Sequence, residues 1–279
     1  MVQAPLKPPS GAGLSLYGAR VLITGAGSGI GRLMAKLAAA RGAEVIIWDR
    51  DGERADQVRQ ELIAAGHLAT AWTVDVTDAA AVAETAAAVG AIDVLINNAG
   101  VVGGRPLVEE PEDAIRRTIE VNLTALFWTT KAFLPGMIDR RRGLVVTIAS
   151  AAGLVGSARM TDYSATKFGA VGFDEALRQE LNGSGVKTMV VLPFYINTGM
   201  FAGVRSRFPR LLPLLSPERV AVDVIHGIER GARQVLIPRS LRLIYGLRFL
   251  PVSWGDRLAN WSGINAAMTE FSGRPGDRV

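Results

Sequence analysis

A glycine-rich segment, Thr24-Gly-Ala-Gly-Ser-Gly-Ile-Gly31, stands between the β-branched run Val21-Leu-Ile23 and a stretch that reads as a helix over about 30–40. A strand, a glycine turn and a helix in immediate succession leave the chain few ways to fold. Gly25 permits a tight turn, and Gly29 and Gly31 allow backbone to approach a ligand and helix to approach strand. The helix behind them offers unpaired N–H groups and a positive dipole end, which suits a pyrophosphate. An ordinary glycine-rich βα loop would look the same locally. Its place inside a strand–helix–strand unit is what favours the phosphate reading.

The alternation continues. Residues 44–48, 69–74, 94–96, 144–148, 187–192 and 235–237 read as further strands, and 52–65, 79–89, 112–138 and 162–181 as helices. Strands rich in Val and Ile, separated by helices, signal a parallel sheet buried on both faces. The right-handed crossover rule then gives a doubly wound α/β sheet of seven strands flanked by helices. No repeat or linker divides the chain, so one domain is expected over 17–279, after a flexible arm at 1–16 that is rich in Pro and Gly. The arm lacks the apolar core of a signal peptide.

Composition narrows the chemistry. Of 279 residues, none is cysteine and two are histidine, His67 and His226. Disulfides, thiolate metal sites and a cysteine nucleophile are excluded, and no metal centre is expected. No apolar run reaches the roughly 18 residues of a membrane span, which fits a cytoplasmic protein or one peripheral to a membrane. The net charge of +5 includes the cluster Arg140-Arg-Arg142, which reads as a solvated helix end. No recognition-helix or zinc-finger spacing points to nucleic acid.

Asp49 closes the second strand, 18 residues beyond Gly31. A carboxylate there can accept hydrogen bonds from both ribose hydroxyls of an adenosine and repels a 2′-phosphate. Arg50 complicates this, because a guanidinium pairs with such a phosphate. Ser28 adds no positive charge within the turn. The balance favours NAD, with NADP as the alternative.

Tyr163 and Lys167 stand four residues apart on an expected helix, with Ser150 13 residues upstream. Such a pair shares one helix face, with Cβ atoms roughly 5–6 Å apart. A nearby ammonium favours phenolate and lowers a phenol pKa from about 10. Lowering it by about three units requires roughly 4 kcal/mol, at about 1.36 kcal/mol per unit. One partly solvated lysine does not supply all of that, so a second positive group, such as a bound cofactor, is implied.

Taken together, Thr24-Gly-Ala-Gly-Ser-Gly-Ile-Gly31, Asn97-Asn-Ala-Gly100, Asn122, Ser150 and Tyr163-x-x-x-Lys167 resemble the short-chain dehydrogenase/reductase family. The resemblance covers nearly the whole chain from about residue 17 and implies a Rossmann fold. The stretches Asn122-Leu-Thr-Ala-Leu-Phe-Trp-Thr-Thr-Lys-Ala-Phe-Leu-Pro135, Lys167-Phe-Gly-Ala-Val-Gly-Phe173 and Ile196-Asn-Thr-Gly199 are similar to its hydroxysteroid and retinol dehydrogenase branch, which acts on lipophilic alcohols.

The resemblance implies that Ser150 holds the substrate oxygen and that Tyr163 transfers the proton. It implies that Lys167 bonds the nicotinamide ribose and lowers the Tyr163 pKa, and that Asn122 stabilises a helix distortion and a water relay. Gly25, Ser28, Gly29, Ile30 and Gly31 would cradle the pyrophosphate, Asp49 and Arg50 would meet the ribose, and Asp75 and Val76 would bracket the adenine. Asn97, Ala99 and Gly100 would line the adenosine side. Pro193, Ile196 and Thr198 would contact the carboxamide, although Phe194 stands where the family often has glycine.

Beyond Thr198 a lid is expected over about 199–217, where apolar residues such as Met200, Phe201, Phe208 and Leu211 interleave with Arg205, Arg207 and Arg210. A segment over about 239–279 repeats the mixture. Two readings stand: a hydrophobic channel resting on an anionic membrane, or lid and subunit packing with snorkelling arginines. Broad apolar faces on 112–138 and 162–181 suggest a homodimer or homotetramer. The expected activity is hydride transfer between NAD(H) and a lipophilic alcohol or its carbonyl. An NADPH-dependent carbonyl reductase and a non-catalytic dinucleotide-binding scaffold are the alternatives.

Overall fold

The computed structural model describes residues 13–199, 203, 213–243, 251–262 and 268. Seven strands, β1 (Arg20–Thr24), β2 (Glu44–Asp49), β3 (Ala69–Thr73), β4 (Val94–Asn97), β5 (Gly143–Ile148), β6 (Val186–Pro193) and β7 (Gln234–Ile237), form one sheet. Its order is β3-β2-β1-β4-β5-β6-β7, and every pairing is parallel. From β1 the chain winds outward through β2 and β3, then returns to the other side of β1 for β4 to β7. Loops diverge where the winding reverses, so a crevice opens beyond the C-terminal ends of β1 and β4.

The strand sequences follow from this layering. β4 and β5 are buried along their whole length, because helices cover both faces. Helices α1 (Gly29–Ala39) and α2 (Gly52–Ala64) cover one face, together with the seventh helix described below. Helices α3 (Ala79–Val89), α5 (Ala125–Asp139) and α6 (Thr161–Glu180) cover the other, where Trp48, Phe133 and Met137 fill the space.

Three expectations change. The long helix expected over 112–138 divides into α4 (Glu112–Ile119), a π-helical turn (Glu120–Thr124) and α5. Helix α7 (Pro217–Glu229), absent from the sequence reading, supplies the crossover that parallel β6 and β7 require. Ser216 caps it by accepting from the Arg219 N–H at 3.2 Å, and Pro217 opens its first turn, where the missing N–H costs nothing. The arm expected over 1–16 ends sooner: the Leu14 N–H reaches the Ile228 carbonyl at 3.3 Å, and Leu16 is buried.

A further helix, α8 (Val252–Ser262), follows β7 among the described residues. Most of the expected lid lies outside the described residues, including Met200, Phe201, Arg205, Arg207, Phe208, Arg210 and Leu211.

Candidate active site

The crevice holds about 610 Å³ and runs from Asp49 and Arg50 at one end to Ser150, Tyr163 and Lys167 at the other. Its phosphate end is built by the turn after β1. Gly25 sits at φ 65°, in the left-handed region that glycine enters without strain, and a Cβ there would lie 3.0 Å from the Ala99 Cα. A Cβ on Gly31 would run into the Gly25 carbonyl and come within 2.6 Å of Asn98 Nδ2. The helix start is therefore pressed against both strand ends. No side-chain cap closes α1, which leaves its first turn able to receive an anion.

Thr24 and Asn98 fix the two strand ends to each other. The Asn98 and Ala99 N–H groups both donate to Thr24 Oγ1 at 3.0 Å, and Asn98 Nδ2 donates to the Thr24 carbonyl at 2.8 Å. Asp49 ties in the second strand, since its Oδ2 accepts from the Gly27 N–H at 2.8 Å and its Oδ1 from the Asp51 N–H at 3.0 Å. The carboxylate is thus oriented before any ligand arrives, with lone pairs left for ribose hydroxyls. Arg50 lines the same end, with Arg54, whose Nε lies 3.0 Å from Asp51 Oδ2. Asp75 and Val76 form the adjoining wall.

All expected cofactor residues line the crevice except Asn97. Asn97 is buried instead against α5, where its Oδ1 accepts from the Thr129 hydroxyl at 2.7 Å and its Nδ2 donates to Thr130 at 3.2 Å. Side chains alternate across a strand. The preceding residues of β4 are apolar on both faces, so no simple alternation marks which asparagine turns inward. Asn98 takes the place expected for Asn97. Arg54, Arg117 and Val121 are further lining residues that sequence reasoning passed over, and Gly27 and Thr24 contribute from behind the wall through their bonds to Asp49 and to Asn98 and Ala99. The repeated asparagine and the fourth glycine of the turn were the available signals.

At the other end, Ser150 caps the turn after β5 by accepting from the Ala152 N–H at 3.1 Å, and its hydroxyl hydrogen-bonds Tyr163. Tyr163 and Lys167 lie one helical turn apart on α6, both buried. Lys167 Nζ donates to the Ile148 carbonyl at 3.0 Å and sits 5.5 Å from the centre of the Tyr163 ring. The expectation that Lys167 lowers the phenol pKa does not hold for the protein alone. Burial pushes Tyr163 above its ordinary value, the Ser150 hydrogen bond opposes this, and the nearby Tyr195 phenol adds to the rise. Burial also pulls Lys167 down to about 8, which still leaves it mostly charged at neutral pH.

Asn122 lies within the π-helical turn. Its Oδ1 accepts from the Val101 N–H at 2.8 Å, while its Nδ2 donates to the Val101 carbonyl at 2.9 Å and to Thr166 Oγ1 at 3.3 Å. A short amide is a poor interior helix residue because it seeks backbone partners. Here it finds them on the strand-end loop, and the helix widens locally. Pro193, Phe194, Ile196 and Thr198 complete the crevice after β6. Phe194 meets Tyr195 edge-on at 4.8 Å, so the bulky residue in a place where glycine was considered joins an aromatic wall.

A family model for short chain dehydrogenases matches residues 19–208 of this geometry's chain. The chain belongs to the short-chain dehydrogenase family. This short-chain dehydrogenase is 39% identical over 269 residues to mouse epidermal retinol dehydrogenase 2, covering 93% of this chain and 87% of that one. It is 38% identical to zebrafish retinol dehydrogenase 10-A, over 85% and 78% of the two chains. Among solved structures, a short-chain dehydrogenase/reductase from Burkholderia phymatum in complex with NAD superposes with a TM-score of 0.78 at 25% identity, covering 86% of this chain and 96% of that one. A metagenomic short-chain oxidoreductase in complex with NADP gives 0.67 at 32% identity, over 80% and 98%. The protein is therefore an NAD(P)-dependent oxidoreductase. Its left-handed turn, open helix start and oriented Asp49 carboxylate suit a nicotinamide dinucleotide.

Proposed function

We propose that this short-chain dehydrogenase interconverts a lipophilic alcohol and its carbonyl, using NAD(H) in preference to NADP(H). The observation that carries the reading is the meeting of Ser150, Tyr163 and Lys167 at one end of a crevice whose other end is Asp49. The dinucleotide, when bound, supplies or accepts the hydride. The protein's part is the proton. Ser150 would hold the substrate oxygen against the Tyr163 hydroxyl. In reduction the buried phenol would give its proton to the developing alkoxide and be left as phenolate; in oxidation it would first lose its proton, and the phenolate would then take the proton of the alcohol. Lys167, mostly charged near neutral pH but with its proton held less tightly than a solvated lysine's, would pass the proton onward beside Asn122.

The substrate class rests on Phe194, which lines the crevice with Tyr195 packed edge-on behind it, and on the retinol dehydrogenases among the relatives. The NAD preference rests on Asp49, while Arg50 and Arg54 support the competing NADP reading. Both are tested by assaying purified protein against a panel of retinol, a sterol, a fatty alcohol and a small diol with each cofactor. Turnover of the apolar alcohols, faster with NAD, is expected. Activity confined to the diol would overturn the substrate class, and strong preference for NADP would overturn the cofactor reading.

Peripheral membrane contact is part of this proposal. Trp254 and Trp261 on α8 are 61% and 58% exposed and stand seven residues apart, so they share one face. Aromatic side chains of this kind seat at membrane interfaces. Flotation with phosphatidylserine vesicles at low salt is expected to recover the protein and to fail for Trp254→Ser/Trp261→Ser. Equal recovery of the two forms would remove α8 as the contact.

A further inference from the structure

Thr166 precedes Lys167 on α6 and is buried behind the crevice rather than lining it. Its Oγ1 donates to the Tyr163 carbonyl at 2.7 Å, back along its own helix. The same oxygen accepts from Asn122 Nδ2 at 3.3 Å, across to the π-helical turn. A hydroxyl has one proton to give and lone pairs with which to receive. A carbonyl only accepts, so the Thr166 proton points at Tyr163 and the oxygen is left to take an N–H. The nitrogen of the Asn122 amide, not its oxygen, must therefore face Thr166.

That assignment decides where the amide oxygen lies. Nδ2 also donates to the Val101 carbonyl at 2.9 Å, and Oδ1 accepts from the Val101 N–H at 2.8 Å. Both amide protons are then spent, while Oδ1 keeps a second lone pair. A Cβ built on Gly100 would lie 3.3 Å from Asn122 Oδ1 and 3.8 Å from Lys167 Nζ, so oxygen and amine border the same point. An amide turned the other way would present N–H groups to that cation. The same turn of α6 is pressed from its other side. A Cβ on Gly153, in the turn that Ser150 caps, would lie 2.5 Å from the Lys167 carbonyl oxygen. Thr166 thus ties this helical turn to Asn122, as Gly153 seats it against the Ser150 turn.

We propose that Thr166 is a positioning residue for proton transfer: by joining the Tyr163 backbone to the Asn122 amide, its hydroxyl keeps the Asn122 oxygen toward Lys167 and holds Tyr163, Lys167 and Asn122 in one register. This role rests on the reading that Tyr163 and Lys167 carry the proton. Among the described residues, the titratable groups at this place are Tyr163 and Lys167 on α6 and Tyr195 after β6. Thr166 adds no charge and acts through orientation. An oxygen turned away from an ammonium supports its charge less, and a less charged Lys167 leaves the neighbouring phenol harder to ionise. Loss of the hydroxyl should therefore move the pH dependence of alcohol oxidation upward.

Thr166→Val keeps the branched shape and removes the hydroxyl, whereas Thr166→Ser keeps the hydroxyl. Both are compared with wild type across a pH series, using NAD and the fastest-oxidised alcohol of the panel above. The valine variant is expected to lose about ten-fold or more in kcat at neutral pH, with the rising limb of its profile moved to higher pH. The serine variant should recover both. Thr129→Val is the control, since it removes an equally buried hydroxyl from its bond to Asn97 and should lower stability without moving the profile. Urea unfolding tests the joint without substrate. Thr166→Val should lower the midpoint less in an Asn122→Ala background than in wild type, because its partner is already gone. The proposal is overturned if the valine variant keeps the wild-type rate and profile, if kcat falls with the profile unmoved, if serine fails as valine does, or if the two substitutions add in urea. Tyr163→Phe, run alongside, separates the two failures. Wild-type turnover there removes the proton-path reading itself, whereas lost turnover beside an unaffected Thr166→Val removes only the role of Thr166.

Discussion

Replacing Tyr163 with phenylalanine is expected to lower kcat by about 10²–10⁴-fold, the usual contribution of a positioned acid or base. The change removes only a hydroxyl whose hydrogen bond goes to Ser150, and the ring remains to fill its buried place. One neutral hydrogen bond contributes roughly 1 kcal/mol, so the fold should survive. Fluorescence titration should show NADH binding unchanged, which separates a lost proton path from a damaged cofactor site. Turnover that persists at the wild-type rate would mean that Tyr163 does not carry the proton.

The second large effect is expected at Asn122, and on stability as much as on rate. Asn122→Ala deprives both the Val101 N–H and the Val101 carbonyl of their partner, and removes a bond to Thr166. Asn122 is only 1% exposed, so water does not simply replace the amide. Each unsatisfied buried group costs about 1–3 kcal/mol, giving an expected loss of about 3–5 kcal/mol in urea unfolding. Lys167 should shift as well, because its Nζ lies on the same side of Gly100 as Asn122 Oδ1, and kcat should fall. A loss below about 1 kcal/mol would show that the π-helical turn re-forms its bonds without this amide.

Sequence reasoning reached the sheet, its parallel sense and the positions of Gly25, Asp49, Ser150, Tyr163 and Lys167, because each depends on local pattern. Glycine turns, β-branched runs and a four-residue helical spacing are visible within a dozen residues. What escaped depends on partners distant in the chain. Asn97 and Asn98 are adjacent and chemically identical, and only the location of α5 decides that Asn97 serves the core while Asn98 joins β1. The resemblance implies a helix distortion at Asn122, and what escaped is its partner, the Val101 loop. The electrostatics of Tyr163 reversed for a similar reason. Spacing showed a lysine beside a phenol, but not that burial would weigh on both groups at once. Helix α7 was legible in Val220, Val224 and Ile228 at helical intervals, and in the crossover that two parallel strands demand.

The clamp between Thr24 and Asn98–Ala99 spans 74 and 75 residues of chain, and the crevice closes only with the segment after β6. During synthesis, the phosphate turn emerges long before the strand that must lock it. Loop-closing contacts of such length slow folding, and until β4 arrives the edge of β1 stands unpaired and open to association with other chains. A ligand that binds only the finished crevice adds RT ln(1 + [L]/Kd), about 2.7 kcal/mol at a hundred-fold excess over Kd. The cellular pool of dinucleotide should therefore govern how much of this enzyme accumulates, by deciding which newly made chains escape proteolysis.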